Sequence, residues 1–224
     1  MDRQPSPNHD ARPPGQAVEI LLLHYTGMPS AAAALERLCD PAAKVSAHYL
    51  VDEDGRVVQL VEEHRRAWHA GHAEWRGRAE VNARSIGIEL VNPGHEWGYR
   101  AFPEAQMTSL IELCLGILER HPVPPRQVLG HSDVAPLRKE DPGELFDWPR
   151  LAAAGIGLWP AEAAPLEPDP ERARRQLAGF GYSYLDQDPA AVLRAFQRHF
   201  RPAAVTGALD AETAGRLGAL SALL

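Results

Sequence analysis

Val18, Ile20, Leu21, Leu22 and Leu23 make a short apolar run that stops at His24. A strand that is apolar on both faces has to be covered on both faces, which excludes a one-sided surface sheet. His24 then sits at the carboxyl end of that strand. The segment SAHYLVDEDGRVVQLV, from Ser46 to Val61, alternates on either side of Asp54-Gly55 and predicts a hairpin with a type I′ turn. Arg84 to Val91, RSIGIELV, predicts another strand. Pro103 to His121 carries Met107, Leu110, Ile111, Cys114, Leu115, Ile117 and Leu118 at helical spacing, and Gln127 to Gly130 predicts a brief strand leading to His131. This order predicts an α/β or α+β unit with a central mixed sheet flanked by helices.

Two composition breaks divide the chain. The Pro-rich, polar start predicts a disordered arm over 1–16. PAEAAPLEPDP predicts a semi-extended linker over 160–170. The sheet unit is therefore expected over 17–159. A small three-helix module is expected over 171–224, with helices near Pro170 to Ala178, Pro189 to Phe200 and Asp210 to Leu220. Fewer than 60 residues support only a marginal core, which suits a binding module better than a catalytic cleft.

The net charge of −7 argues against nucleic acid as the main partner, because phosphate binding needs a basic face. No stretch approaches the roughly 20 apolar residues of a membrane span. The first residues hold no apolar leader core, which leans the expectation toward a cytoplasmic enzyme, with the periplasm as the alternative. Cys39 and Cys114 are too few for a disulfide framework, and Cys114 falls inside the apolar helix, where a buried thiol is expected.

The chemistry is expected where strands end. His24 and His131 each close a strand, and strand ends are where distant segments of a sheet protein converge. Asp141, ten residues after His131 in a polar loop, adds a hard oxygen donor. Two imidazoles and a carboxylate form a frequent three-ligand set for catalytic zinc, with a fourth position open. Such an ion polarises a carbonyl and brings a bound water near neutral pKa, so amide hydrolysis becomes feasible. Glu89 interrupts the apolar strand SIGIELV, which is costly unless its carboxylate faces a cleft or a partner. Lys139, two residues before Asp141, is a candidate oxyanion stabiliser. His69 in AWHAGH is expected to line a cleft, with His72 at the surface and His48 structural.

Together LLLHYT, SAHYLVDEDGRV, AWHAG, NARSIGIELV and VLGHSDVAPLRKEDPG resemble the type-2 N-acetylmuramoyl-L-alanine amidases, over roughly Val18 to Leu151. That family is related to phage lysozyme-amidases and to peptidoglycan recognition proteins. The resemblance implies one zinc per chain held by His24, His131 and Asp141, with Glu89 as general acid/base and Lys139 stabilising the oxyanion. It implies cleavage of the amide between N-acetylmuramic acid and the L-alanine of the stem peptide. Peptidoglycan or its muropeptide fragments would be the partners. Asn82, Arg84, Trp68 and His69 are expected to contact sugar or stem peptide. The phage and animal relatives place a catalytic Tyr where this chain has Ala47, a departure that Glu89 compensates.

Residues 186–217 resemble a three-helix peptidoglycan-binding module, in AVLRAFQRHF and TGALDAETAGRL. The implied role is to hold the enzyme on wall polymer. The alternative from another functional class is a non-catalytic peptidoglycan receptor, against which the intact His24, His131 and Asp141 set argues.

Overall fold

The structure is a computed structural model that describes residues 1–160 and 163–224. Its strands are β1 (Asp2–Arg3), β2 (His9–Ala11), β3 (Ile20–Tyr25), β4 (Tyr49–Val51), β5 (Val57–Gln59), β6 (Arg65–Ala67), β7 (Ser85–Leu90) and β8 (Val128–Gly130). The helices are α1 (Ala31–Cys39), α2 (Gly94–Trp97), α3 (Glu104–Arg120), α4 (His131–Val134), α5 (Trp148–Ala153), α6 (Pro170–Phe180), α7 (Pro189–Phe200) and α8 (Ala211–Ser221). The main sheet runs β1-β5-β4-β7-β3-β8. It is mixed: β3 pairs in parallel with β7 and β8, and β4 pairs in parallel with β7 but antiparallel with β5.

Burial of β3 on both faces explains its unbroken apolar run. Leu21 and Leu23 join Ile86 and Ile88 in one core with Met107, Leu110, Cys114 and Ile117 of α3. Ile20 and Leu22, which point the other way, share a second core with Trp75, Phe180, Tyr182, Phe196 and Phe200. Much of the cover on that second face thus comes from α6 and α7. Burying one Phe or Leu contributes about 1.5–3 kcal/mol, so these helices are part of the folded body and not an appendage on a tether.

Local sequence sets the three C-terminal helices. Asp169, Asp188 and Asp210 each accept a hydrogen bond from the backbone N–H three residues on, satisfying an otherwise orphaned donor of the first turn. Pro170 and Pro189 follow two of these caps, where a missing N–H costs nothing. The sequence-based linker over 160–170 falls partly on residues 161–162, which lie outside the described residues.

Two expectations are corrected. The arm expected to be disordered over 1–16 is ordered: β1 pairs with β5, and β2 with β6. Its anchors are polar. The Ser6 hydroxyl donates to the Leu38 carbonyl, Asn8 donates to Asp40 and Val45 carbonyls at 2.8 Å each, and Arg12 donates to Ala83 and Ser85 carbonyls at 2.7 Å. Hydrophobicity does not register contacts of this kind. The hairpin turn also differs. The Gly55 N–H donates to the Asp52 carbonyl, and only Gly55 of the loop has positive φ, +88°. This is a type I turn closed by a left-handed glycine, one residue longer than the two-residue type I′ loop.

Candidate metal centre

Parallel pairing brings three side chains to one end of the sheet. His24 of β3 lies in register with Glu89 of β7, and Leu23 is in register with Gly130, so His131 emerges beside them at the start of α4. The loop after α4 returns Asp141, whose carbonyl accepts from the Ser132 N–H at 2.9 Å. Gly130 permits that return, because a Cβ there would meet Pro142 at 2.7 Å. A cleft of about 630 Å³ opens above these residues.

His24 Nδ1, His131 Nδ1 and Asp141 Oδ2 lie 2.9–3.0 Å from one another. All three residues are buried. Their hydrogen-bond partners fix where the protons sit. His131 Nε2 is 3.0 Å from the Ala70 carbonyl, which only accepts, and 3.3 Å from the Arg138 guanidinium, which donates to that same carbonyl; the shorter contact places the hydrogen on Nε2 and leaves a lone pair on Nδ1. For His24 the chain is longer. Ser85 donates its hydroxyl to the Val81 carbonyl at 2.6 Å and therefore accepts from His69 Nε2 at 3.2 Å. His69 Nδ1 is then an acceptor, 3.0 Å from His24 Nε2, which donates to it. His24 Nδ1 is left with a lone pair too.

Charge agrees with this reading. Burial, and the His131 imidazole beside it, pull His24 down to about 4, so it is neutral at pH 7. Two lone pairs and an anion facing one point fit a cation: atoms about 3 Å apart are what ligands roughly 2 Å from one ion require. The donor set, two imidazoles and one carboxylate, suits zinc.

Glu89 faces the same cleft. One of its oxygens, Oε2, is buried without a hydrogen-bond partner. Burial, reinforced by the Asp141 charge and opposed by Lys139, raises its pKa well above the ordinary value. Lys139 lines the cleft as well, as do half-buried Trp68 and the exposed Trp97 of α2.

The substrate-contact expectations divide. Trp68 and His69 line the cleft, although the His69 ring is held between His24 and Ser85. Gly87 makes room for that ring, since a Cβ on Gly87 would collide with it. Asn82 and Arg84 are corrected: neither lines the cleft. The Asn82 side-chain oxygen accepts from the His69 and Ala70 N–H groups at 3.1 and 2.7 Å, which fixes the AWHAG loop. Arg84, 2% exposed, donates to the Trp75 and Arg78 carbonyls and to Glu19, tying loops together beneath the sheet. Sequence reasoning missed Trp97, whose four-residue helix has no periodicity to read.

A family model described as N-acetylmuramoyl-L-alanine amidase matches residues 14–144. The chain belongs to the N-acetylmuramoyl-L-alanine amidase family. It is an amide-hydrolysing enzyme of that family. The amidase AmiD of Escherichia coli K12 is 39% identical over 222 residues, covering 88% of this chain and 79% of AmiD. The 1,6-anhydro-N-acetylmuramyl-L-alanine amidase AmpD of the same organism is 35% identical, over 66% of this chain and 88% of AmpD. Among solved structures, AmpDh3 of Pseudomonas aeruginosa superposes with a TM-score of 0.85 at 37% identity, covering 94% of each chain. AmiD in complex with anhydro-N-acetylmuramic acid-L-Ala-D-gamma-Glu-L-Lys superposes with a TM-score of 0.81 at 37% identity, covering 93% of this chain and 91% of AmiD. This amidase therefore shares the mixed sheet and flanking helices of solved relatives. No helix among its described residues is long and apolar enough to cross a membrane.

Proposed function

We propose that this amidase cleaves the amide between N-acetylmuramic acid and the L-alanine of the stem peptide in muropeptides, anhydro-muropeptides included, with one zinc held by His24, His131 and Asp141. The observation that carries the reading is the convergence of two imidazole lone pairs and a carboxylate oxygen within 3.0 Å at a cleft floor. Zinc bound there would act as a Lewis acid toward the scissile amide. Glu89 takes a proton from the attacking water and returns it to the leaving amine nitrogen. Its raised pKa suits a group that must hold that proton between the two steps. The Lys139 ammonium faces the charge that develops on the carbonyl oxygen. Trp68 offers a flat apolar face to sugar or peptide at the cleft wall. The helices over 171–224 hold the enzyme on wall polymer and raise the local substrate concentration.

The test is product analysis by mass spectrometry on purified sacculi and on anhydro-muropeptides, each with and without a chelator. Release of free stem peptide, abolished by chelation and restored by zinc, is expected. The preferred substrate then separates a recycling enzyme from one acting on intact polymer. No cleavage of either substrate by zinc-loaded protein would overturn the catalytic assignment. Co-sedimentation of the full-length Glu89→Ala protein with sacculi checks the wall-binding role, and failure to pellet would remove it.

A further inference from the structure

A second buried polar cluster lies directly behind the metal centre, and half of it comes from the C-terminal helices. Asp133, the third residue of α4, has a side chain with no solvent exposure. Its Oδ1 accepts from the Tyr182 hydroxyl at 2.6 Å. Its Oδ2 accepts from His199 Nδ1 of α7 at 2.8 Å and from the Gly130 N–H at 2.8 Å. The His199 ring stacks on Trp148 with centroids 3.7 Å apart, which fixes the direction of its N–H. One residue before it, Arg198 donates to Glu140, the neighbour of Asp141, at 2.5 Å.

Both grips close on residues adjacent to proposed ligands. Asp133 holds Gly130, immediately before His131, and Arg198 holds the loop residue immediately before Asp141. The donors are on Tyr182, His199 and Arg198, all supplied by residues 171–224. Both oxygens of the Asp133 carboxylate are matched to donors, so the cluster has a defined geometry.

We propose that Tyr182, His199 and Arg198 are positioning residues that set the separation between His131 and Asp141, making the C-terminal helices part of the metal centre's outer framework. This rests on the reading of His24, His131 and Asp141 as zinc ligands. Outer partners of a metal site commonly tune its affinity by about 10–100-fold, because they hold ligands at a fixed distance that the ion otherwise has to impose.

The test uses full-length Tyr182→Phe, His199→Phe and His199→Asn proteins. Zinc dissociation constants are measured by chelator competition, the visible spectrum of the cobalt(II) form reports site symmetry, and circular dichroism confirms folding. Tyr182→Phe removes a single oxygen and keeps the ring, so it remains informative even where His199→Phe fails to fold. Zinc binding about tenfold weaker with a shifted cobalt spectrum is expected for both Phe variants. His199→Asn, whose amide nitrogen takes the place of Nδ1, is expected to restore affinity to within about threefold of the parent. Folded Phe variants with parental affinity and spectrum, losing only thermal stability, would overturn the inference alone. A parent chain that binds neither zinc nor cobalt would overturn it together with the metal reading.

Discussion

Two buried clusters of the same residue types, built around Asp133 and Asp141, do opposite things. Around Asp133, every carboxylate lone pair in use meets a donor: a tyrosine hydroxyl, an imidazole N–H and a backbone N–H. Around Asp141, acceptors meet acceptors: the carboxylate faces two imidazole nitrogens whose partner nitrogens already carry the hydrogens. The first arrangement pairs its carboxylate within the protein and stabilises the fold. The second turns buried lone pairs toward one another, which costs about 1–3 kcal/mol each unless a cation lies between them. What separates a structural Asp-His pair from a metal site is therefore the direction of the protons, set by neighbours such as Ala70, His69 and Ser85, and not the identity of the pair.

That contrast can be broken from either side. Asp141→Ala removes the one anion of the metal cluster; zinc content by atomic absorption and stem-peptide release are both expected to fall to background. Next in size, Glu89→Gln is expected to keep zinc and folding while lowering kcat by about 10²–10⁴-fold, the usual contribution of a general acid/base. Zinc-loaded Glu89→Gln with parental turnover would remove the residue from the reaction.

Asp133→Ala attacks the other cluster and is expected to act on stability first. It leaves the Tyr182 hydroxyl, His199 and the Gly130 N–H without an acceptor, a loss of about 3–5 kcal/mol readable in urea unfolding. A midpoint unchanged from the parent would mean that water replaces the carboxylate. His69→Phe keeps an aromatic ring beside Gly87 but removes the acceptor that His24 Nε2 meets. Zinc affinity about 10–100-fold weaker with little change in melting temperature is expected.

The smallest effect is expected at Glu63, a carboxylate outside both clusters. Burial would raise its pKa, but donors on Arg120, Tyr49 and His121 outweigh that and hold it at about 2, against 4.5 for an ordinary Glu. The folded state binds its proton less readily than the unfolded chain. The resulting stability is present above pH 4.5 and is lost as pH falls toward 2. Glu63→Gln should flatten the acid limb of the stability curve in that window and leave turnover at neutral pH unchanged.

Features driven by apolar periodicity were legible in the sequence. The run ending at His24 required cover on both faces, and the periodic segment from Pro103 to His121 formed α3 across one of them. Strand ends likewise placed His24 and His131 together, since parallel register leaves little freedom there. Contacts made by polar groups over long sequence distances were not legible. Ser6, Asn8 and Arg12 anchor a segment whose composition reads as disorder. Arg84 looked like a substrate contact because a buried guanidinium that satisfies backbone carbonyls leaves no signature in spacing. Asp133 and His199, separated by 66 residues, carry none of the periodic or strand-end cues that singled out the metal cluster.

The proposed zinc site depends on His24 and His131 both presenting Nδ1, with Nε2 holding the proton. Long-range ¹H–¹⁵N NMR of the imidazoles in the metal-free protein, repeated after one equivalent of zinc, tests it directly. Both histidines are expected as the Nε2–H tautomer before zinc, with zinc shifting Nδ1 alone. A proton on Nδ1 of either residue, or a zinc shift at Nε2, would contradict it.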